Sequence, residues 1–228
     1  MLRALVCLIG AGAVAACAQA ETPFGDHFDN GGMSPGWKSR MPTRWVQDGW
    51  LHNRDTDGWP RDALAVVHDS DPDWTDYEVT LRIDPLDNPP WNQANLLLRT
   101  DNFLRSSGPH HGRAYQLEFY GPLGFDFHGI MLRRADLDIN EEVFLAEIPI
   151  ELPGGPFDAR VKLEGPRIRT WLDGTLMFDV VDPEPLLFGG IGVHNLWESE
   201  ARYDDIVVVP EPATLVLMLL ALGLIHRR

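Results

Sequence analysis

The sequence predicts an all-β protein, two antiparallel sheets packed as a sandwich, with a short helix at each end of the chain. Three observations lead there. Apolar and polar residues alternate through Tyr77-Glu78-Val79-Thr80-Leu81-Arg82-Ile83-Asp84, which gives an extended segment one buried face and one wet face. Asp-Gly steps separate short apolar-rich runs at Asp48-Gly49 and Asp173-Gly174, and that dipeptide accepts the positive φ angles of a type I′ hairpin turn. Finally, 21 glycines and 18 prolines punctuate the 228 residues, and no long helical periodicity runs between them.

The first twenty residues read as a secretory leader: Arg3, an apolar stretch from Ala4 to Ala16, then the small-residue cleavage site Ala18-Gln19-Ala20 before Glu21. A rival reading takes Val14-Ala15-Ala16-Cys17 as a lipobox with Cys17 lipidated, and the residues leave both open. The two cysteines, Cys7 and Cys17, both precede Glu21, so a chain cut there has no disulfide to hold it.

Strands are expected at Ala63–Val67, Tyr77–Asp84, Ala94–Arg99, Ala114–Tyr120, Ile130–Arg134, Val143–Ile148, Ala159–Glu164, Ile168–Leu172, Gly190–His194 and Tyr203–Val208, with hairpins across Val46–Leu51 and Trp171–Leu176. Leu132, Ala135, Ile139, Val143 and Ala146 recur at helical spacing, but Asp136-Leu137-Asp138-Ile139-Asn140 has the composition of an acidic turn between strands and is read as one. Trp45, Trp50, Trp74 and Trp171 suit core or hairpin packing. Trp59 and Trp91, among prolines, suit an exposed position. Many short strands without a linker make residues 21–208 one sandwich or jelly roll.

Residues 209–228 carry Val209-Pro210-Glu211-Pro212, an apolar run from Ala213 to Ile225, and His226-Arg227-Arg228. A helix of that run is about 20 Å long, short of the roughly 30 Å hydrocarbon core, and the terminal arginines place its end in the cytoplasm. Pro210, Glu211 and Pro212, the apolar run, and Arg227 with Arg228, in that order, resemble the PEP-CTERM sorting signal. The resemblance implies processing by an exosortase as well as by signal peptidase. It also implies transient anchoring in the inner membrane of a Gram-negative cell, and a final place at the cell surface or outside it, amid exopolysaccharide.

With 34 acidic against 19 basic residues the net charge is −15, and the two ends take away only three arginines and one glutamate. The acidity therefore belongs to the domain and argues against nucleic acid, whose phosphates are held mainly by Lys and Arg.

Within the domain the order of motifs is Phe28-Asp29, Trp37, Trp45-Val46 with Asp48-Gly49 and Leu51, Asp73-Trp74-Thr75-Asp76-Tyr77, Leu97-Leu98-Arg99, Tyr115-Gln116-Leu117, Trp171-Leu172-Asp173-Gly174, Gly190-Ile191-Gly192-Val193 and Tyr203-Asp204-Asp205-Ile206. That set is similar to concanavalin A-like, laminin-G-like jelly rolls and covers nearly all of residues 21–208. The retaining glucanases of that fold carry Glu-x-Asp-x-Glu, which is missing: Glu118 is followed by Phe119, Tyr120 and Gly121, and Glu141 and Glu142 are adjacent, so they would face opposite ways. There is no Gly-x-Ser-x-Gly elbow and no cysteine after Cys17. A strand resembling Ala114–Glu118 keeps a 3-keto-disaccharide hydrolase as the enzymatic alternative.

Binding fits better. If Leu96, Leu98, Leu117, Phe119 and Leu132 face the core, strand parity puts Asn95, Arg99, Gln116, Glu118, Tyr120 and Arg133 on the opposite, exposed face of three strands. Amides, carboxylate and guanidinium suit sugar hydroxyls, and Trp91 and His128, with His110 and His111, suit the rim. The same pattern is that of a plain wet sheet face. No cofactor is called for, although the resemblance implies a structural calcium near Asp26 and Asp205, with carbonyls near Gly49. Asp69–Asp73 mimics the start of an EF-type loop but lacks its glycine and final glutamate and is read as a solvated turn. The expectation is an exported, non-catalytic jelly roll that binds extracellular polysaccharide, with a sugar hydrolase or a purely structural matrix protein as alternatives.

Overall fold

The computed structural model describes residues 23–39, 44–54, 64–68, 74–86, 93–101, 112–121, 127–136, 139, 141–195 and 199–211, and of 38–39 and 64–68 the backbone alone. The leader with Cys17, Ala18 and Ala20, the tail with Pro212, Arg227 and Arg228, the Asp69–Asp73 turn, Trp59, Trp91, His110 and His111 lie outside them.

Every element among the described residues is a strand: β1 (Phe24–Asp26), β2 (Trp37–Ser39), β3 (Arg44–Gln47), β4 (Trp50–Arg54), β5 (Leu64–His68), β6 (Tyr77–Asp84), β7 (Gln93–Asp101), β8 (Arg113–Tyr120), β9 (Gly129–Asp136), β10 (Glu141–Pro149), β11 (Phe157–Glu164), β12 (Arg167–Leu172), β13 (Thr175–Val181), β14 (Gly190–Asn195) and β15 (Glu200–Pro210). They form two antiparallel sheets. One has the order β13-β12-β11-β6-β15-β4-β3, with β1 also paired to β15; the other has the order β10-β9-β8-β7-β14-β5-β2.

Local chemistry explains most elements. Both Asp-Gly steps are hairpin turns with positive φ at each residue, Asp48 at 53° and Gly49 at 78°, Asp173 at 46° and Gly174 at 77°. In β6 the odd residues Tyr77, Val79, Leu81 and Ile83 are buried in the core as the alternation requires. Leu132 and Ala135 lie on β9, which ends at Asp136, and Val143 and Ala146 lie on β10, which begins at Glu141, so the helical spacing among them is incidental. Trp74 is a core residue, whereas Trp50 and Trp171 lie half-buried against Arg202 and Arg160.

The core lies between the sheets: Tyr77, Val79, Leu81 and Val208 from one meet Leu96, Leu98, Leu117, Phe119, Leu132 and Val193 from the other. Each large aliphatic buried this way stabilises the fold by about 1.5–3 kcal/mol. Polar bridges also cross the core: the Arg99 N–H donates to the Tyr77 hydroxyl at 2.8 Å, and a second group gathers on Asn195. Asn195 Oδ1 accepts from Asn53 Nδ2 at 3.0 Å and from the Tyr203 hydroxyl at 3.1 Å, and the Asn95 N–H donates to that hydroxyl at 3.2 Å. The last strand runs two residues past Val208. Pro210 pairs with Tyr77, the Glu211 N–H donates to the Asp76 carbonyl at 2.8 Å, and the Glu211 carboxylate meets Lys162 at 3.1 Å.

Candidate functional site

On the seven-stranded sheet, the face turned away from the core carries two transverse rows of paired residues. One runs His194, Asn95, Glu118, Met131, Glu147; the next runs Gly192, Leu97, Gln116, Arg133, Phe144. Gln93 lies opposite Tyr120 beside the first row. The sequence-predicted residues Asn95, Gln116, Glu118, Tyr120 and Arg133 therefore do share one face.

Arg99 does not join them. A register irregularity follows Leu98, and Arg99 takes φ 45°. Its side chain turns to the carbonyls of Thr75, Gly165 and Leu186. A bulge adds a residue to one strand and breaks the parity on which the expectation rested. Arg99 is a structural clasp.

The face is also not exposed, which is a second correction. Asn95 and Glu118 have no accessible surface and Gln116 keeps 4%. Alternation shows that these side chains share a face; it does not distinguish a wet face from a polar face closed on itself. Access rises across the second row, from Leu97 at 0% through the Arg133 side chain at 14% to Phe144 at 63%. The open margin is β9 and β10.

Charge is concentrated at that margin. The Arg133 guanidinium donates to Glu118 and, at 2.7 Å, to Glu142. Tyr120 donates its hydroxyl to the other Glu118 oxygen at 2.7 Å. Burial pushes the Glu118 carboxyl above its ordinary range, and the charge of Arg133 and the Tyr120 hydroxyl draw it back. Phe144 lies beneath the Arg133 guanidinium, 5.6 Å from it. Inward of this cluster, both amide atoms of Gln93 and both of Asn95 are buried and bond nothing, each such group costing about 1–3 kcal/mol. His128, exposed, ends the approach to β9 and accepts the Ile150 N–H through its carbonyl.

Gln93, Glu142 and Phe144 escaped the sequence reading. Gln93 has the parity of Asn95 and was open to inference. Phe144 sits in the unbroken apolar run Val143–Ala146 with a bulge before Ala146, so alternation could not assign its side.

The two carboxylates read as calcium ligands are in different surroundings. Asp26 is buried and accepts from Phe28 N at 3.2 Å, Ser34 N at 2.7 Å and Trp37 Nε1 at 2.8 Å. Asp205 is exposed and meets His27 Nδ1 at 2.7 Å. Among the described residues no group of three or more His, Cys, Asp or Glu is placed to hold a metal.

No family model and no curated protein matches the sequence. Solved structures do resemble the fold. The carbohydrate-binding module CBM66 from Bacillus subtilis is 17% identical, with a TM-score of 0.58 over 75% of this chain and 93% of that one. A protein of unknown function with a galectin-like fold from Bacillus subtilis is 16% identical, with a TM-score of 0.55 over 84% and 90%. A prokaryotic β-1,3-1,4-glucanase (lichenase) from a mouse hindgut metagenome is 15% identical, with a TM-score of 0.55 over 83% and 100%. Identity this low establishes the fold alone, and the chain is an all-β, concanavalin A-like jelly roll with galectin-like neighbours.

Proposed function

We propose that this jelly roll is an exported glycan-binding module without catalysis of its own, sorted through its Pro-Glu-Pro tail by an exosortase and retained among extracellular polysaccharide. The observation that carries the binding reading is Phe144, 63% exposed on β10 with the Arg133 guanidinium 5.6 Å from its ring. An aromatic ring beside a hydrogen-bond donor is complementary to a sugar, whose C–H face stacks and whose hydroxyls accept. Carbohydrate-binding neighbours such as CBM66 support the same reading.

The hydrolase reading has one specific support. Glu118 and Glu142 flank a single guanidinium, and burial raises the Glu118 carboxyl as a general acid requires. Against it, both Glu118 oxygens are already bonded and neither is accessible.

The test is to pass the purified protein over immobilised polysaccharides and to measure both retention and released sugar. Retention without release is expected, weakened by Phe144→Ala, whose side chain is exposed. Sugar release abolished by Glu118→Gln would install the hydrolase instead, and no retention on any glycan would leave the structural matrix protein.

A further inference from the structure

We propose that the Phe144 site selects uncharged sugars and turns away acidic ones, with Glu142 as the residue that sets this preference. The preference rests on the glycan-binding reading and names the substrate class of the same site.

Strand register gives the charges their places. Met131, Arg133 and Ala135 alternate along β9 on the face turned from the core, and across the ladder they meet Glu147, Phe144 and Glu142. Phe144 therefore stands between two carboxylates of its own strand, Glu142 before it and Glu147 beyond the bulge, and both are exposed. Over β8, β9 and β10 this face carries a single cation, Arg133, against three carboxylates, Glu118, Glu142 and Glu147. The margin is net negative.

The one cation is also matched. Arg133 Nη2 donates to Glu118 on the buried side, and Nη1 donates to Glu142 at 2.7 Å on the open side. Each Nη group keeps a second N–H, so the guanidinium remains a hydrogen-bond donor although its charge is neutralised. A sugar hydroxyl needs only the donor. A uronate, sulfate or phosphate on the ring seeks the charge as well, and finds it already held by two carboxylates, with Glu147 as a third beyond Phe144. Like charges brought together at a binding site repel, and this is how a surface discriminates against a competitor that otherwise fits.

Glu142 is the member that decides. Glu118 has no accessible surface and both its oxygens are bonded, which puts it out of a ligand's reach. The Glu142 side chain is 44% exposed and bonded to the same guanidinium.

The experiment uses the full chain, with a β-glucan, a galactan, a mannan and a fructan as neutral probes and alginate, a uronate polymer, as the acidic one. It reads the ratio of the alginate affinity to that of the tightest neutral probe, and in the unmodified protein the neutral probe should win. Glu142→Gln keeps an oxygen for Arg133 and removes only the charge. It should raise the ratio about threefold at about 0.1 M salt, the order of one unit charge about 4 Å away in screened water. Glu147→Gln should raise it in the same direction, and high salt should erase both shifts. Asp158→Asn removes the same charge from an exposed position on the outer face of the other sheet and should leave the ratio unchanged. Alginate bound as tightly as the best neutral probe, a ratio indifferent to both glutamine variants, or an equal shift from Asp158→Asn overturns the preference while retention still stands. A protein retained by none of the probes overturns the binding reading and the preference with it.

Discussion

Arg99 and Thr75 are joined twice: the Nε and Nη2 groups of one guanidinium both donate to the Thr75 carbonyl, Nε at 2.9 Å. Nη1 of the same side chain bonds the Gly165 and Leu186 carbonyls, each at 2.6 Å, and Nη2 reaches Asp76 at 3.1 Å. The guanidinium has no exposed surface. It ties the bulge of β7 to the segment before β6, the turn after β11 and the loop before β14. Arg99→Met leaves three carbonyls short of a donor and is expected to lower stability by about 3–5 kcal/mol, since each buried acceptor left unbonded costs about 1–3 kcal/mol. Arg99→Lys should recover little, because an ammonium lacks the planar fork that reaches three carbonyls. Denaturant unfolding of the two variants checks both.

Gly189 closes against the same bulge. Its φ is 138°, and a methyl group there would lie 2.7 Å from the carbonyl oxygens of Arg99 and Thr100. Both are backbone atoms and cannot swing aside. Gly189→Ala should cost about 2–4 kcal/mol from strain and overpacking together, measured as a fall in Tm, whereas Gly154→Ala, with open space around it, should be nearly silent.

Asp182 performs the corresponding service at the β8–β9 end. Its carboxylate, 1% exposed, accepts from the Tyr115 hydroxyl at 2.8 Å, from Arg134 at 2.6 Å and from Glu184 N at 3.0 Å. Asp182→Ala should cost about 2–4 kcal/mol because it leaves the Tyr115 hydroxyl and the Glu184 N–H without their acceptor, while Arg134 keeps its bonds to Glu184. Tyr115→Phe should cost about 1–2 kcal/mol. The double variant should fall short of the sum, since the two share a bond, and a fully additive result would contradict the network.

His27 gives the pH dependence. Its bond to Asp205 raises the imidazole above 6.5; desolvation opposes, and the charges of Asp205, Asp29 and Asp204 add to the rise. A raised folded value means that the stabilisation is whole below the unfolded value of about 6.5 and is lost as pH climbs through the folded one. With side chains 56% and 58% exposed, the effect on stability is small and screened by salt. The sharper readout is the NMR titration of the imidazole, whose midpoint should drop towards about 6.5 in Asp205→Asn; an unmoved midpoint would refute the pairing.

Much was readable in the residues themselves. Alternation placed β6, β8 and β11, because a two-residue period is a property of neighbouring side chains. Asp48-Gly49 and Asp173-Gly174 announced their hairpins, because tolerance of positive φ belongs to the dipeptide. The grouping of Asn95, Gln116, Glu118, Tyr120 and Arg133 on one face followed from parity. Tertiary structure alone decided what that face is. The bulge after Leu98 turned Arg99 into the clasp, the pairing of β8 with β9 brought Arg133 to Glu118, and the pairing of β9 with β10 set Phe144 beside them. Register between strands and the shielding of a face depend on segments far apart in the chain, whose packing no local period records. The sequence by itself therefore determined which side chains share a face, and only the folded sheet decided that its centre is closed and its β9–β10 margin open.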